Sequence, residues 1–159
     1  MEFRQITSGD DASFHDFMTA YYHEGEDKDT PQAEMDAFIS CLFQMVYTGA
    51  IQGRLVFDHQ DLAGVILWMK DTENGSFSSM PGYDTILEIG VSQAHRKKGI
   101  GKQRVIYAEQ QMLLEHVLGY YVCAYGPAQR FWMECGYTDT GKTAVNGLPV
   151  FVKGQAALG

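Results

Sequence analysis

One stretch of the chain, GYTDTGKT from Gly136 to Thr143, fits the phosphate-loop pattern G-x-x-x-x-G-K-[ST]. Such a loop must follow a buried strand and open a helix, so that backbone amides and the helix dipole meet the phosphate. Here the preceding segment FWMEC has helical character, and AVNGLPVFV contains Asn-Gly and Pro where a helix would have to run. We therefore interpret Lys142 and Thr143 as exposed residues of a hairpin strand, and a nucleotide-binding protein is the weaker alternative.

A second glycine loop has the context that a phosphate site requires. The apolar strand TILEIGV leads into SQAHRKKGIGK, and a long helix follows. Gly99 and Gly101 let the backbone approach an anion closely, and the first amides of the helix have no partner within it. Arg104 occupies the third glycine position of a dinucleotide fingerprint, which excludes a full match. Four of the 12 basic residues lie within seven positions: Arg96, Lys97, Lys98 and Lys102. The loop is predicted to bind phosphate, with a solvated basic turn as the alternative.

The elements before this loop follow from hydrophobic periodicity. MEFRQIT reads as a strand, and Asp10 or Asp11 is expected to cap a first helix. Thr30 followed by Pro31 predicts the start of a second helix, which should stop near Gly49. The segment RLVFDHQDLAGVILW then predicts a hairpin. The expected buried residues are Phe14, Phe17, Met18 and Tyr21 of the first helix and Met35, Phe38, Ile39, Leu42, Phe43 and Val46 of the second.

The elements after the loop complete the pattern. A helix over 99–117 should bury Val105, Ile106, Ala108, Met112, Leu113 and Val117. YYVCAY reads as a short strand, PAQRFWMECG as a helix, and the turn Asn146-Gly147 closes a final hairpin. The order predicts an α/β (α+β) fold, with a mixed central sheet flanked by helices, over one domain of residues 1–159.

Composition limits the function classes. The net charge of −8 at pH 7 argues against nucleic-acid binding. The three cysteines Cys41, Cys123 and Cys135 form no C-x-x-C pair and favour free thiols in a reducing cytoplasm. The start MEFRQITSGDD is mixed and polar, and the apolar run AGVILWM is too short to span a membrane. No metal spacing is recognisable, so no metal is expected.

Two blocks of the chain resemble the GNAT acyltransferase superfamily. Val91-x4-Arg96-x-x-Gly99-Ile100-Gly101 is similar to its R/Q-x-x-G-x-G/A signature. Ala128-x-x-Phe131-Trp132-x-x-Cys135-Gly136-Tyr137 is similar to its A-x-x-[FL]-Y-x-x-x-G-[FY] segment. The element order agrees over the whole chain.

The resemblance implies a cytoplasmic GNAT N-acetyltransferase that moves the acetyl group of acetyl-CoA directly to a primary amine of a small molecule or peptide. Amides over 97–102, including those of Ile100 and Gly101, would hold the pyrophosphate. Backbone near Val91 would pair with the pantetheine arm and polarise the thioester carbonyl. Direct transfer makes Cys123 and Cys135 improbable as acyl carriers.

Proton transfer has two candidate residues. Glu88 is an ionisable side chain on an apolar strand and is the candidate general base, with a solvent-facing or paired carboxylate as the alternative. Where the family has its usual acid, a tyrosine, this chain has Trp132, whose indole cannot serve as an acid. Tyr125 is the candidate substitute, with Tyr121, Tyr137 or unaided departure of the thiolate left open. Trp132 is then expected to pack against the cofactor arm or the core.

The acceptor site is the least constrained by the sequence. The resemblance places it at the loop after the first helix, where acidic and aromatic side chains would suit an amine. These residues are Tyr21, Tyr22, His23, Glu24, Glu26 and Asp27. A solvated loop is the alternative. A non-catalytic acyl-CoA-binding or regulatory module, and a homodimer, also remain open.

Overall fold

The computed structural model describes residues 1–25, 27–71, 80–96, 99–113 and 118–154. Seven strands form one sheet in the order β1-β2-β3-β4-β5-β7-β6. β4 and β5 are parallel, whereas the pairs β1–β2, β5–β7 and β6–β7 are antiparallel. The strands are β1 (Glu2–Gln5), β2 (Gln52–Asp58), β3 (Asp61–Lys70), β4 (Asp84–Val91), β5 (Gly119–Cys123), β6 (Thr138–Thr143) and β7 (Pro149–Gly154); the helices are α1 (Asp11–His23), α2 (Gln32–Tyr47), α3 (Ile100–Leu113) and α4 (Gln129–Glu134). The mixed α/β prediction is confirmed.

The chain forms two compact units. The first contains Met1–Leu67 and Glu88–Gly101, and the second contains Trp68–Leu87 and Lys102–Gly159. In the first unit α1 packs on α2, and the rings of Phe14 and Phe43 lie 5.6 Å apart. Burying such aromatic and aliphatic side chains is what stabilises these two amphipathic helices.

The buried face of each helix in the first unit differs from the prediction at two positions: Phe17 and Tyr21 of α1 and Val46 of α2 are half-buried, and Phe38 of α2 is exposed. On α1 Tyr22 is buried and Tyr21 only half-buried, because the buried residues are Phe14, Met18 and Tyr22 at i, i+4 and i+8. On α2 the Phe38 side chain is 46% exposed, although its neighbours Met35 and Ile39 are buried. Phe38 instead packs its ring at 5.6 Å from that of Tyr22.

Asp10 is the N-cap residue of α1, one of the two predicted alternatives, whereas the predicted start of α2 needs correction. Asp10 precedes α1 but makes no capping hydrogen bond to it; its carboxylate accepts hydrogen bonds from Thr7 and from the guanidinium of Arg4. The Arg4 partner holds the pKa of Asp10 below its usual range. Pro31, with extended backbone, is the N-cap of α2, so Thr30 is not the cap.

In the second unit α3 buries Val105, Ala108 and Met112, as predicted. The prediction for Ile106 was wrong, because its side chain is 54% exposed and lies off this stripe. The side chain of Leu113 and the whole of Val117 lie outside the part of the chain that the structure describes. In the parallel register of β4 and β5, Asp84 is opposite Tyr120 and Thr85 is opposite Tyr121.

The stretch 136–143 has no phosphate-loop geometry. Helix α4 precedes it, Gly136 turns the chain with φ of 95°, and residues Thr138–Thr143 form β6, paired with β7. A loop that leaves a helix and enters a strand has no helix N-terminus to face an anion. The nucleotide-binding alternative therefore has no structural basis at this position.

Candidate active site

Glu88 lies half-buried on β4, and its carboxylate is held by a tyrosine of α1. The Tyr22 hydroxyl donates a hydrogen bond to Glu88 Oε1 over 3.0 Å. Tyr22 is only 6% exposed, and burial, followed by the negative charge of Glu88, raises its pKa far above the ordinary tyrosine value. Tyr22 is therefore a neutral hydrogen-bond donor at any physiological pH.

A glycine on β4 sets the distance between this strand and α1. A Cβ added at Gly90 would lie 2.7 Å from Phe17 Cε1 and 3.4 Å from Tyr21 Cδ1. Contacts below 3.0 Å are not tolerated without movement. Gly90 thus allows α1 to lie close to the strand, which is the arrangement that brings Tyr22 to Glu88.

The chain after β4 is fixed by hydrogen bonds before it reaches the basic loop. Ser92 N donates to Ala63 O over 2.9 Å. His95 is 7% exposed; its Nδ1 lies 2.6 Å from Ser92 Oγ and its Nε2 lies 3.6 Å from an Asp58 carboxylate oxygen. These contacts anchor the short 3-10 turn Gln93–His95, from which Arg96 emerges.

The basic loop opens α3 in the way expected of an anion site. Gly99 has φ of 74°, and nothing lies within 4 Å of the place where a Cβ would stand. This left-handed conformation favours glycine and leaves open space before the first turn of α3, where Ile100 is buried and Gly101 half-buried. Lys97 and Lys98 lie outside the described residues. The positive φ of Gly99 and the space beside it leave room for an anion next to this backbone.

Two basic side chains of the loop already have carboxylate partners. Arg96 forms an ion pair with Glu24, the residue after α1, and its Nε donates to Val91 O over 3.4 Å. Lys102 Nζ lies 3.6 Å from Glu134 Oε2, with both side chains about half exposed. The Arg96 pair joins the end of α1 to the loop and was not foreseen from the sequence.

Among the aromatic candidates for the acid, exposure separates one from the rest. Tyr125 follows β5 and is 36% exposed. Tyr121 is 1% exposed and its hydroxyl donates to Asp71 Oδ2 over 2.9 Å, and Tyr137 is 2% exposed. Burial raises the pKa of both buried tyrosines. Trp132, 8% exposed, packs at 5.3 Å from the Tyr137 ring and belongs to the core of the second unit.

The second unit contains another little-exposed carboxylate, on α3. Glu109 is 8% exposed, and Lys153 Nζ lies 3.1 Å from its Oε1 and 3.0 Å from its Oε2. The same ammonium donates to Cys135 O over 3.1 Å. Burial raises the pKa of Glu109, although Lys153 acts in the opposite direction. This group ties α3, β7 and the end of α4 together.

The loop after α1 contains a small pocket of about 150 Å³ in the first unit. Its lining residues are Tyr22, Asp27, Thr30, Glu34, Met35 and Phe38. Of the predicted acceptor residues, Tyr22 and Asp27 line it, whereas Glu24 pairs with Arg96 and His23 contacts Gln32 at 3.1 Å. Glu26 lies outside the described residues.

Two negative findings apply to the described residues alone. No helix among them has the length and apolarity needed to cross a membrane. No three of their His, Cys, Asp or Glu side chains are grouped so that they could hold a metal ion.

Comparison with known proteins agrees with the fold. The family model of the Acetyltransferase (GNAT) family matches residues 12–137, which is most of the chain. The chain therefore belongs to the GNAT acetyltransferase family. No curated protein sequence matches it.

Solved structures share the fold at low sequence identity. The PaiA N-acetyltransferase of Thermoplasma acidophilum, solved with coenzyme A, superposes with a TM-score of 0.72 at 13% identity over 96% of this chain and 98% of its own. The GCN5-related N-acetyltransferase of Ralstonia eutropha superposes with a TM-score of 0.73 at 21% identity, over 89% of this chain and 95% of its own. A spermidine N-acetyltransferase SpeG chimera from Vibrio cholerae and hSSAT superposes with a TM-score of 0.70 at 14% identity, over 100% of both chains.

Proposed function

We propose that this chain is an acetyl-CoA-dependent N-acetyltransferase that acetylates a primary amine of a small molecule or peptide in the cytoplasm. The observation that carries the proposal is the half-buried Glu88 on β4, held at 3.0 Å by the neutral hydroxyl of Tyr22. The family match over 12–137 spans segments of both compact units, which supports one acetyltransferase domain over residues 1–159.

Glu88 would act as the general base. An alkylammonium has a pKa of about 10.4 and must lose a proton before its nitrogen can attack a thioester. In its ionised form the Glu88 carboxylate accepts a hydrogen bond from Tyr22 at Oε1, and a carboxylate has about four lone-pair positions on its two oxygens. It can therefore accept the proton directly or through one water molecule.

The glycine loop would hold the coenzyme. Bound acetyl-CoA supplies the acetyl thioester. Amides over 97–102, with the dipole of α3, would hold its pyrophosphate, and the left-handed Gly99 with open space before it supports this role. Backbone near Val91 would bind the pantetheine arm and polarise the carbonyl. Trp132, being 8% exposed, would contribute mainly by packing against Tyr137.

Tyr125 would protonate the departing thiolate. It is 36% exposed, whereas Tyr121 and Tyr137 are buried and so poorly placed to reach a bound ligand. A tyrosine hydroxyl has an ordinary pKa near ~10 and can donate to a thiolate. The spermidine acetyltransferase chimera among the structural neighbours acts on an amine, in line with the acceptor class proposed for this chain.

Ligand binding and thiol release together test the proposal. Thermal-shift titrations with acetyl-CoA, coenzyme A, ATP and GTP are followed by thiol detection on a panel of primary amines. We expect stabilisation by acetyl-CoA and coenzyme A, and thiol release that depends on an amine. Gly101→Trp should abolish the stabilisation, and Lys142→Ala, on β6, should leave it intact.

Two results would contradict the proposal. Stabilisation by ATP but not by acetyl-CoA would refute the site assignment. Binding of acetyl-CoA without turnover on any amine would favour the non-catalytic module, an alternative that the Trp132 substitution supports.

A further inference from the structure

The pocket of about 150 Å³ between the end of α1 and the start of α2, here named the α1–α2 pocket, combines apolar walls with unpaired carboxylates. Met35 and Tyr22 are 2% and 6% exposed and form its buried part. The Phe38 ring, 46% exposed, lies 5.6 Å from the Tyr22 ring. An aromatic side chain left this exposed beside a pocket offers a contact surface for an alkyl chain or a cation.

The carboxylates of the pocket are Asp27, half-buried, and Glu34, exposed in the first turn of α2. Within the described part of the chain, neither carboxylate has a hydrogen-bond donor or a cationic partner. The negative charge of Asp27 reaches Tyr22, because it is among the causes that raise the pKa of that tyrosine. The other nearby acids differ, since Glu24 is paired with Arg96 and Asp36 with His15.

The pocket adjoins the candidate base through one residue. Tyr22 lines the pocket and donates its hydroxyl hydrogen bond to Glu88. Tyr22 is therefore shared by the pocket and by the candidate base, and an acceptor that occupies both would contact this tyrosine. The part of the acceptor that enters the pocket meets aromatic walls and negative charge.

We propose that the acceptor carries a second cationic group, which the α1–α2 pocket binds through Asp27, Glu34 and the face of Phe38. The substrate class is then a diamine or a longer polyamine with a short alkyl spacer. This inference rests on the proposed function, because it concerns the acceptor of that same site. Neutral-tail amines and peptide N-termini are the alternatives, and the test distinguishes them.

The first experiment compares acceptors that differ only in the tail. kcat/KM is measured by thiol release with 1,4-diaminobutane, 1-aminopentane and 4-aminobutanoate. We expect about tenfold higher kcat/KM for the diamine than for 1-aminopentane, because two partly exposed carboxylates face its second ammonium, and the lowest value for the anionic tail. Equal values for the diamine and 1-aminopentane, or a preference for a peptide N-terminus, would overturn the inference.

The second experiment assigns the effect to the pocket. The double variant Asp27→Asn/Glu34→Gln should reduce the ratio of kcat/KM for diamine over 1-aminopentane to about one. Asp29→Asn, in the same loop but not lining the pocket, is the matched control and should keep the tenfold ratio. A ratio that stays at about ten in the double variant would place the selectivity elsewhere and refute the pocket.

Calorimetry separates this inference from the proposed function. Both nitrogens of N,N,N′,N′-tetramethyl-1,4-diaminobutane are tertiary and cannot form a stable amide, so binding of its dication can be measured without turnover. Binding that weakens about tenfold in Asp27→Asn/Glu34→Gln, in a protein that acetylates no amine, supports the pocket and refutes the acetyltransferase function. If instead the protein acetylates amines and neither the tail nor the double variant changes kcat/KM, the acetyltransferase function is supported and the role of the pocket is refuted.

Discussion

Two carboxylates of this protein have low exposure and very different partners. Glu88 on β4 accepts a hydrogen bond from the neutral Tyr22 hydroxyl, whereas Glu109 on α3 lies 3.0 Å from the Lys153 ammonium. A neutral donor leaves the negative charge in place, so the carboxylate can still take a proton from a ligand. An ammonium cancels that charge and fixes the side chain. The contrast between a hydroxyl and an ammonium partner is the reason to test Glu88 as a base and Glu109 as a member of a structural ion pair.

The sharpest way to break this comparison is to remove each carboxylate charge in turn. Glu88→Gln should lower kcat by about 10²- to 10⁴-fold, because a positioned general base contributes that much, while the melting temperature changes little. Glu109→Gln is the control and should retain activity per folded molecule. If Glu88→Gln kept more than about a tenth of the wild-type kcat, Glu88 would not be the base.

Removing the Lys153 ammonium from the Glu109–Lys153 pair should affect stability rather than catalysis. Lys153→Met should lower the free energy of unfolding by about 2 kcal/mol, less than for a fully buried pair because the Lys153 side chain is 22% exposed. Urea denaturation measures the change. Lys142→Met, at an exposed β6 position, should change stability by less than about 0.5 kcal/mol. Equal effects of the two lysine variants would contradict a structural role for the Glu109–Lys153 pair.

Removing the Tyr22 hydroxyl, which donates the hydrogen bond to Glu88, should have a smaller effect on kcat, and that effect should depend on pH. Tyr22→Phe removes the hydrogen bond that favours the charged carboxylate, so kcat should fall about tenfold and the rising limb of the activity–pH profile should move to higher pH. Phe38→Leu, a change at the ring that contacts Tyr22, serves as a control and should not move the limb. An unchanged profile in Tyr22→Phe would show that the hydrogen bond does not control the proton transfer.

The smallest predicted effect is a pH dependence of the free energy of unfolding, which the raised pKa of Glu109 should cause. Burial raises this pKa above 4.5, so the folded protein binds the proton more tightly than the unfolded chain. The stabilisation from protonated Glu109 is complete below pH 4.5 and is lost as the pH rises through the raised value. Relative to Glu109→Gln, the wild type should therefore lose stability from pH 4 upward, as measured by unfolding at several pH values. A wild type that gained stability relative to this variant over the same range would show that Lys153 outweighs burial.

Local sequence patterns predicted the parts of the site that depend on neighbouring residues. The strand, glycine turn and helix around Gly99 and the hairpin identity of 136–143 follow from short-range signals, and the structure has both. Phe38 and Ile106 were misassigned because helical periodicity defines a stripe but not its edges.

Contacts distant in sequence could not be predicted. Tyr22 and Glu88 are 66 positions apart, and Glu24 and Arg96 are 72 apart. Each of these residues was a candidate by itself, but its partner could not be read from the sequence, and only the close approach of α1 to β4, permitted by Gly90, brings the first pair together. The sequence shows that the loop after α1 is acidic and aromatic, but only the fold shows which of its carboxylates have partners.

The ion pairs of the basic loop reduce the net positive charge that the loop presents to an anion. The sequence places four cations in seven positions, yet Arg96 already faces Glu24 and Lys102 faces Glu134. Long-range attraction is therefore weaker than four free charges would give, and added salt should reduce coenzyme affinity less steeply. In the binding mode proposed above, recognition at this loop would rest on backbone amides at short range, which ionic strength screens little.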